Sequence, residues 1–107
     1  KGLYDFPGGK IKVCETINSA IQREVKEEIG TTVKIGQPFY VADWRPAPQG
    51  ETIQIIGIFF LCTIQSDEIT LSSDHDEFRW ETPKAALKLP LIKENAEAVE
   101  ALIKLGL

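Results

Sequence analysis

The stretch from Thr16 to Gly30 constrains this chain more than any other. Thr16 is a residue type that caps the start of a helix, and Gly30 is one that ends it in a left-handed turn. At about 100° per residue, Ile17, Ile21, Val25 and Ile29 form one apolar arc, with Ser19, Gln22, Arg23 and Lys26 across from it. The acids break this pattern. Glu24 and Glu28 fall within or beside the apolar arc and Glu27 borders it. A helix that buries its apolar side half-buries these carboxylates with it, and burying charge is costly unless something compensates.

Their placement along the helix adds to the cost. Glu24 and Glu28 are four residues apart, a like-charge spacing that costs about 0.2–0.5 kcal/mol. Glu27 and Glu28 occupy the last turn, where the helix dipole penalises an acid by about 0.3–1 kcal/mol. Arg23 and Lys26 offset part of this. A divalent cation would convert all of these penalties into ligand energy, and clustered carboxylates suit Mg²⁺ or Mn²⁺ better than Zn²⁺, which prefers Cys and His. The alternative is a solvated helix face; the inward phase of the acids argues for a metal site.

Composition bounds the rest. A chain of 107 residues with 43% hydrophobic residues has room for one domain around a modest core. The net charge of -4 argues against a general binder of nucleic-acid polymers, which shows a basic face. Cys14 and Cys62 are too few for a disulfide framework, so reduced thiols and a cytoplasmic location are expected. No apolar run reaches the roughly 18–20 residues of a membrane span, and no signal-peptide pattern opens the chain.

Along the chain, Lys10 to Val13 reads as a short strand ahead of the helix. Thr32 to Trp44, rich in Val, Ile, Phe and Tyr, reads as a second strand. A loop with Pro46, Pro48 and Gly50 follows. Thr52 to Ile64 holds the most apolar run, Ile53 to Cys62, which predicts a central strand buried on both faces. Glu68 to Leu71 and Phe78 to Glu81 read as short extended pieces around an acidic loop, and Pro83 to Leu87 as a helical turn. Pro90 to Leu105 reads as a helix with Leu91, Ala98, Val99, Leu102 and Ile103 buried, stopped at Gly106. These elements predict an α+β fold with a mostly mixed sheet.

Gly9, five residues, Glu15, seven residues, and then Arg23-Glu24-Val25-Lys26-Glu27-Glu28-Ile29-Gly30 resembles the signature of the Nudix hydrolases. The last signature position, usually aliphatic, is Thr31 here, a departure that touches packing more than chemistry. Phe6-Pro7-Gly8-Gly9 and Asp76-Glu77-Phe78-Arg79-Trp80 extend the likeness. The resemblance, to the MutT-like branch in particular, implies an α/β/α sandwich with a mixed central sheet. It also implies strands ahead of the signature, so the expectation is a single Nudix domain over residues 1–107, truncated at its N-terminus and left with an unpaired sheet edge.

The resemblance implies a chemistry: water attack on a diphosphate linkage, which requires a crowded polyanion to be neutralised. By the same resemblance Glu24, Glu27 and Glu28 hold Mg²⁺, with Mn²⁺ as substitute, and Gly8 or Gly9 offers a carbonyl as a further ligand. Glu24 is either a metal ligand or the general base. Arg23 orients Glu24 and Glu15, its rigid fork suiting two carboxylates; Glu15, just before the helix, also favours the dipole without any catalytic role. Asp74 and Glu77 are candidates for a further acidic contribution from the loop around His75, and Tyr40 and Trp44 for stacking on a base, although aromatics in a strand also serve packing. The expected reaction takes a nucleoside triphosphate to the monophosphate and pyrophosphate. Pro46, fifteen residues beyond Thr31, is a spacing reminiscent of ADP-ribose-cleaving members, so an ADP-ribose or nucleotide-sugar pyrophosphatase is the alternative. A non-catalytic nucleotide sensor is the alternative of a different class. The resemblance also carries the expectation of a homodimer.

Overall fold

Thr16 does start the first helix. In the computed structural model, which describes residues 2–45, 54–66, 68–73 and 77–106, its hydroxyl accepts the Ser19 N–H at 3.0 Å and α1 runs from Ile17 to Ile29. Gly30 ends it at φ 72°, donating its N–H to the Lys26 carbonyl. A side chain at Gly30 would also meet Thr70 at 3.0 Å, so glycine is favoured there both by the turn and by space. Two strands follow, β1 (Val33–Trp44) and β2 (Ile55–Ile64), then α2 (Pro83–Ala86) and α3 (Lys93–Lys104). The strands pair with each other in one two-stranded sheet. The Gln65 N–H donates to the Thr32 carbonyl, and the Gln54 side chain meets Asp43 at the other end, so the pair is antiparallel. The elements bear out the α+β class.

The chain forms two compact units. One comprises Phe6–Gly36 and Cys62–Trp80. Within it, the segment after β2 closes the C-terminal end of α1: the Thr70 N–H donates to the Ile29 carbonyl at 2.9 Å and the Ser72 N–H to the Glu28 carbonyl at 3.0 Å. These carbonyls have no partner inside the helix, so Thr70 and Ser72 spend their backbone donors on the helix end, and Glu68 to Leu71 forms no strand. Lys10 to Val13 is likewise a loop rather than the expected strand; its Lys10 carbonyl and Lys12 N–H are committed to side chains of the site described below. Ala20, Val25 and Val33 are the buried apolar residues of this unit. Thr31 is buried too, and its hydroxyl reaches the Ser66 carbonyl at 3.3 Å, a bond an aliphatic residue at this signature position could not make. Ile17, expected in the buried arc, is 42% exposed. Gln22 and Arg23, expected across from the arc, are half-buried.

The other unit comprises Lys1–Asp5, Gln37–Leu61 and Glu81–Leu107. Its centre is α3, on which Ala98, Val99 and Asn95 are buried; Leu91, Leu102 and Ile103 are only half-buried. Asn95 donates its amide to Asp5 at 2.8 Å, and the Tyr4 N–H donates to the Pro90 carbonyl. Phe59 packs against Phe39 and Tyr40, with ring centroids 6.3 and 5.9 Å away. The expectation that Ile53 to Cys62 is buried on both faces is not met among the described residues. Burial alternates from Ile55 to Phe59, with Ile56 at 66% exposure and Ile58 also exposed. An antiparallel pair needs only one covered face, and an all-apolar run cannot reveal which face that is.

Candidate functional site

Arg23 organises the loop and helix that carry the signature. Its Nε donates to Glu15 Oε2 at 2.7 Å and its Nη2 to Glu15 Oε1 at 3.0 Å, a two-pronged pair. Nη2 also donates to the Lys10 carbonyl at 2.9 Å. Nη1 turns the other way, to Glu24 at 3.0 Å and Glu27 at 3.4 Å. One guanidinium therefore ties the loop before the helix to two acids on it. Glu15 closes the loop from its side: Oε1 accepts the Lys12 N–H at 2.8 Å, while the Glu15 N–H returns to the Lys12 carbonyl. The Arg23 bonds and the Lys12 N–H hold the Glu15 carboxyl at about 2, and the Glu15 bonds push the Arg23 guanidinium above its ordinary range. Cys14, inside this turn, has φ 67°, a left-handed conformation uncommon for a residue with a side chain.

The two glycines meet the other acids. Gly8 donates its N–H to Glu28 Oε1 at 3.2 Å. Gly9 lies directly against the Glu24 carboxylate, where a Cβ would overlap Oε1 and Oε2. Glycine lets the main chain and the Glu24 carboxylate approach this closely; a side chain here would push the carboxylate aside. Glu24 and Glu28 are half-buried, and Glu27 is exposed, its side chain 58% accessible.

The structure thus brings Glu15, Arg23, Glu24 and Glu27 into one hydrogen-bonded cluster, and sets Gly8 and Gly9 against Glu28 and Glu24. Glu77 is exposed. Asp74 lies outside the described residues, as do His75, Asp76 and Pro46. Tyr40 and Trp44 belong to the other unit, where the Tyr40 hydroxyl donates to Glu97 at 3.1 Å and the Trp44 ring covers Gly57. Burial and Glu97 together push the Tyr40 phenol up. Two partners were not foreseen from the sequence, the Lys10 carbonyl and the Lys12 N–H. Both are main-chain groups, which side-chain identity does not reveal.

Among the described residues, no three His, Cys, Asp or Glu side chains are gathered closely enough to hold an ion as they stand. Arg23 is the cation that Glu24 and Glu27 meet, and Glu28 is turned to the Gly8 N–H. The donor set nevertheless fits a hard divalent ion. It offers carboxylate oxygens on successive turns of one helix, beside a glycine loop whose lack of side chains leaves its main chain open to them. Among the described residues Glu27 is held only by the longest of the Arg23 contacts, and it is the most exposed of the three acids.

The chain matches the family model of the NUDIX domain over residues 1–102. It belongs to the Nudix family. The phosphoanhydride-hydrolase activity expected from the signature follows from that membership, and Nudix proteins use divalent metal ions. Among curated Nudix relatives, the chain is 31% identical to the CTP pyrophosphohydrolase of Escherichia coli strain K12, over 97% of this chain and 73% of that protein. It is 27% identical to the nucleoside triphosphatase NudI of Klebsiella pneumoniae strain 342, over 74% of this chain and 61% of that protein. It is 32% identical to the ADP-ribose pyrophosphatase of Methanocaldococcus jannaschii, over 72% of this chain and 44% of that protein. The solution structure of the E. coli ORF135 protein superimposes with a TM-score of 0.70 at 27% identity, covering 98% of this chain and 71% of that one. Among the described residues no helix is long and apolar enough to cross a membrane.

Proposed function

We propose that this Nudix domain hydrolyses a nucleoside triphosphate to the monophosphate and pyrophosphate, with Mg²⁺ as cofactor and CTP as the first substrate to test. The observation that carries the reading is the Arg23 cluster, in which one guanidinium orders Glu15 and Glu24 beside the glycine loop. Similarity to the CTP pyrophosphohydrolase over 97% of the chain supports the substrate class. An ADP-ribose substrate has the shorter similarity in its favour. The presence of all four signature acids argues against a sensor that only binds.

Glu24, Glu27 and Glu28 would hold the ion, with Gly8 or Gly9 offering a carbonyl. When bound there, a divalent ion neutralises phosphate oxygens and makes water more acidic. The chain's own residues supply orientation. Arg23 fixes the direction of the Glu24 carboxylate, which then serves as ligand or as proton acceptor from water. Glu15 fixes Arg23 by holding two of its donors, and the Gly8 N–H holds one oxygen of Glu28. Exposed Glu27 can turn from Arg23 toward an ion without leaving a buried charge unpaired. Free thiols at Cys14 and Cys62 are in keeping with a cytoplasmic location, and the homodimer is a matter for sedimentation measurements.

The test is turnover with Mg²⁺ against nucleoside triphosphates, ADP-ribose, nucleotide sugars and dinucleoside polyphosphates. Pyrophosphate released from CTP or another triphosphate, with kcat/KM above that for ADP-ribose, is the expected result. A higher kcat/KM for ADP-ribose selects the alternative, and nucleotide binding without turnover of any compound selects the sensor.

A further inference from the structure

Gln22 precedes the signature arginine and was expected to face solvent, yet it is half-buried and both ends of its amide are bonded to one residue. Its Oε1 accepts the Val33 N–H at 3.2 Å, and its Nε2 donates to the Val33 carbonyl. Strand geometry explains why Val33 needs this partner. Thr32 directs its carbonyl to Gln65 on the β2 side, so the next residue directs its N–H and C=O to the opposite edge. Val33 is buried, and main-chain groups there must be paired. The Gln22 amide, offering Val33 one donor and one acceptor, stands where a third strand would pair.

We infer that Gln22 is a positioning residue for the acids of α1. Gln22 and Arg23 lie at the two margins of the exposed strip formed by Ser19 and Lys26. From one margin Gln22 ties the helix to β1; from the other Arg23 ties it to the Lys10–Glu15 loop. Anchors on both margins oppose rotation of the helix about its axis in either direction. That rotation sets how far Glu24 and Glu28 reach toward the Gly8–Gly9 loop. The signature itself does not specify this anchor, since Gln22 falls within its seven-residue spacer.

The inference rests on the hydrolase reading above, and the test separates the two. Gln22→Met keeps length and volume but removes both bonds. Val99→Ala, in the core of α3, serves as a comparison that lowers Tm and removes none of the hydrogen bonds described for α1. In Gln22→Met we expect faster exchange of the Val33 amide proton, about tenfold weaker Mn²⁺ binding by calorimetry, and about tenfold lower kcat with KM within twofold. Val99→Ala, assayed well below its Tm, is expected to keep kcat and Mn²⁺ affinity. The inference is overturned if Gln22→Met frees the Val33 amide yet matches the native protein in kcat and Mn²⁺ affinity, or if Val99→Ala loses both equally. A native protein that turns over no nucleotide defeats the hydrolase reading instead, and Mn²⁺ affinity then still reports on Gln22.

Discussion

Arg23 and Glu15 are joined by two hydrogen bonds, 2.7 and 3.0 Å long, across eight positions of sequence. This pair fixes the loop entering α1 to the helix itself, and Arg23 has donors left for Glu24 and Glu27. A lysine could keep the charge but not the fork. Arg23→Lys is therefore expected to retain the fold by circular dichroism while kcat falls by about 10–100-fold, as when outer partners of a metal ligand are lost. Native kcat in this variant would show that charge alone suffices.

Glu15 also carries a pH signature. Its carboxyl is held at about 2 in the folded chain, below the ordinary 4.5, so it stabilises the fold above the ordinary value and loses that contribution as pH falls toward 2. Glu15→Gln should lower the urea midpoint by a constant amount above about pH 5. The difference from the native protein should shrink between that pH and 2. A pH-independent difference would mean the pair contributes through shape rather than charge.

Gly9 is the tightest point of the site. In Gly9→Ala the new methyl group displaces the Glu24 carboxylate, the clash being with the side-chain end and not with backbone. Activity should drop by about tenfold or more, while the thermal midpoint, governed by the core, moves little. The assay is kcat alongside calorimetric melting.

Glu28→Gln tests the metal assignment. The amide oxygen can still accept the Gly8 N–H, so the fold is expected to survive. Mg²⁺-dependent turnover should be abolished and Mn²⁺ affinity should fall more than about tenfold, roughly 1.4 kcal/mol. Full activity in this variant would remove Glu28 from the ligand set.

Cys14 holds a left-handed conformation that costs a residue with a Cβ about 1–2 kcal/mol. Glycine relieves this but costs about 0.5–1 kcal/mol in unfolded-state entropy. Cys14→Gly should thus stabilise the protein by about 0.5–1 kcal/mol, read as a higher urea midpoint at unchanged slope.

The elements that were legible share a local cause. Thr16 and Gly30 marked both ends of α1 because capping depends on residues within one turn. β1 and β2 showed in their β-branched and aromatic content. Lys10 to Val13 misled for the opposite reason: its alternation is strand-like, but its Lys10 carbonyl and Lys12 N–H are taken by Arg23 and Glu15, residues further along the chain. The apolar run of β2 misled about burial because uniform apolarity carries no phase.

By itself, then, the amino-acid order determined a helix with defined ends and the angular phase of its three acids, since both follow from spacing within a few residues. It also determined family membership through the signature. Tertiary structure alone decided what those acids touch. Arg23 reaches Lys10 and Glu15 across 13 and 8 positions, and Gln22 reaches Val33 across 11. Such contacts depend on how the chain closes on itself, and periodicity along one helix holds no record of that closure.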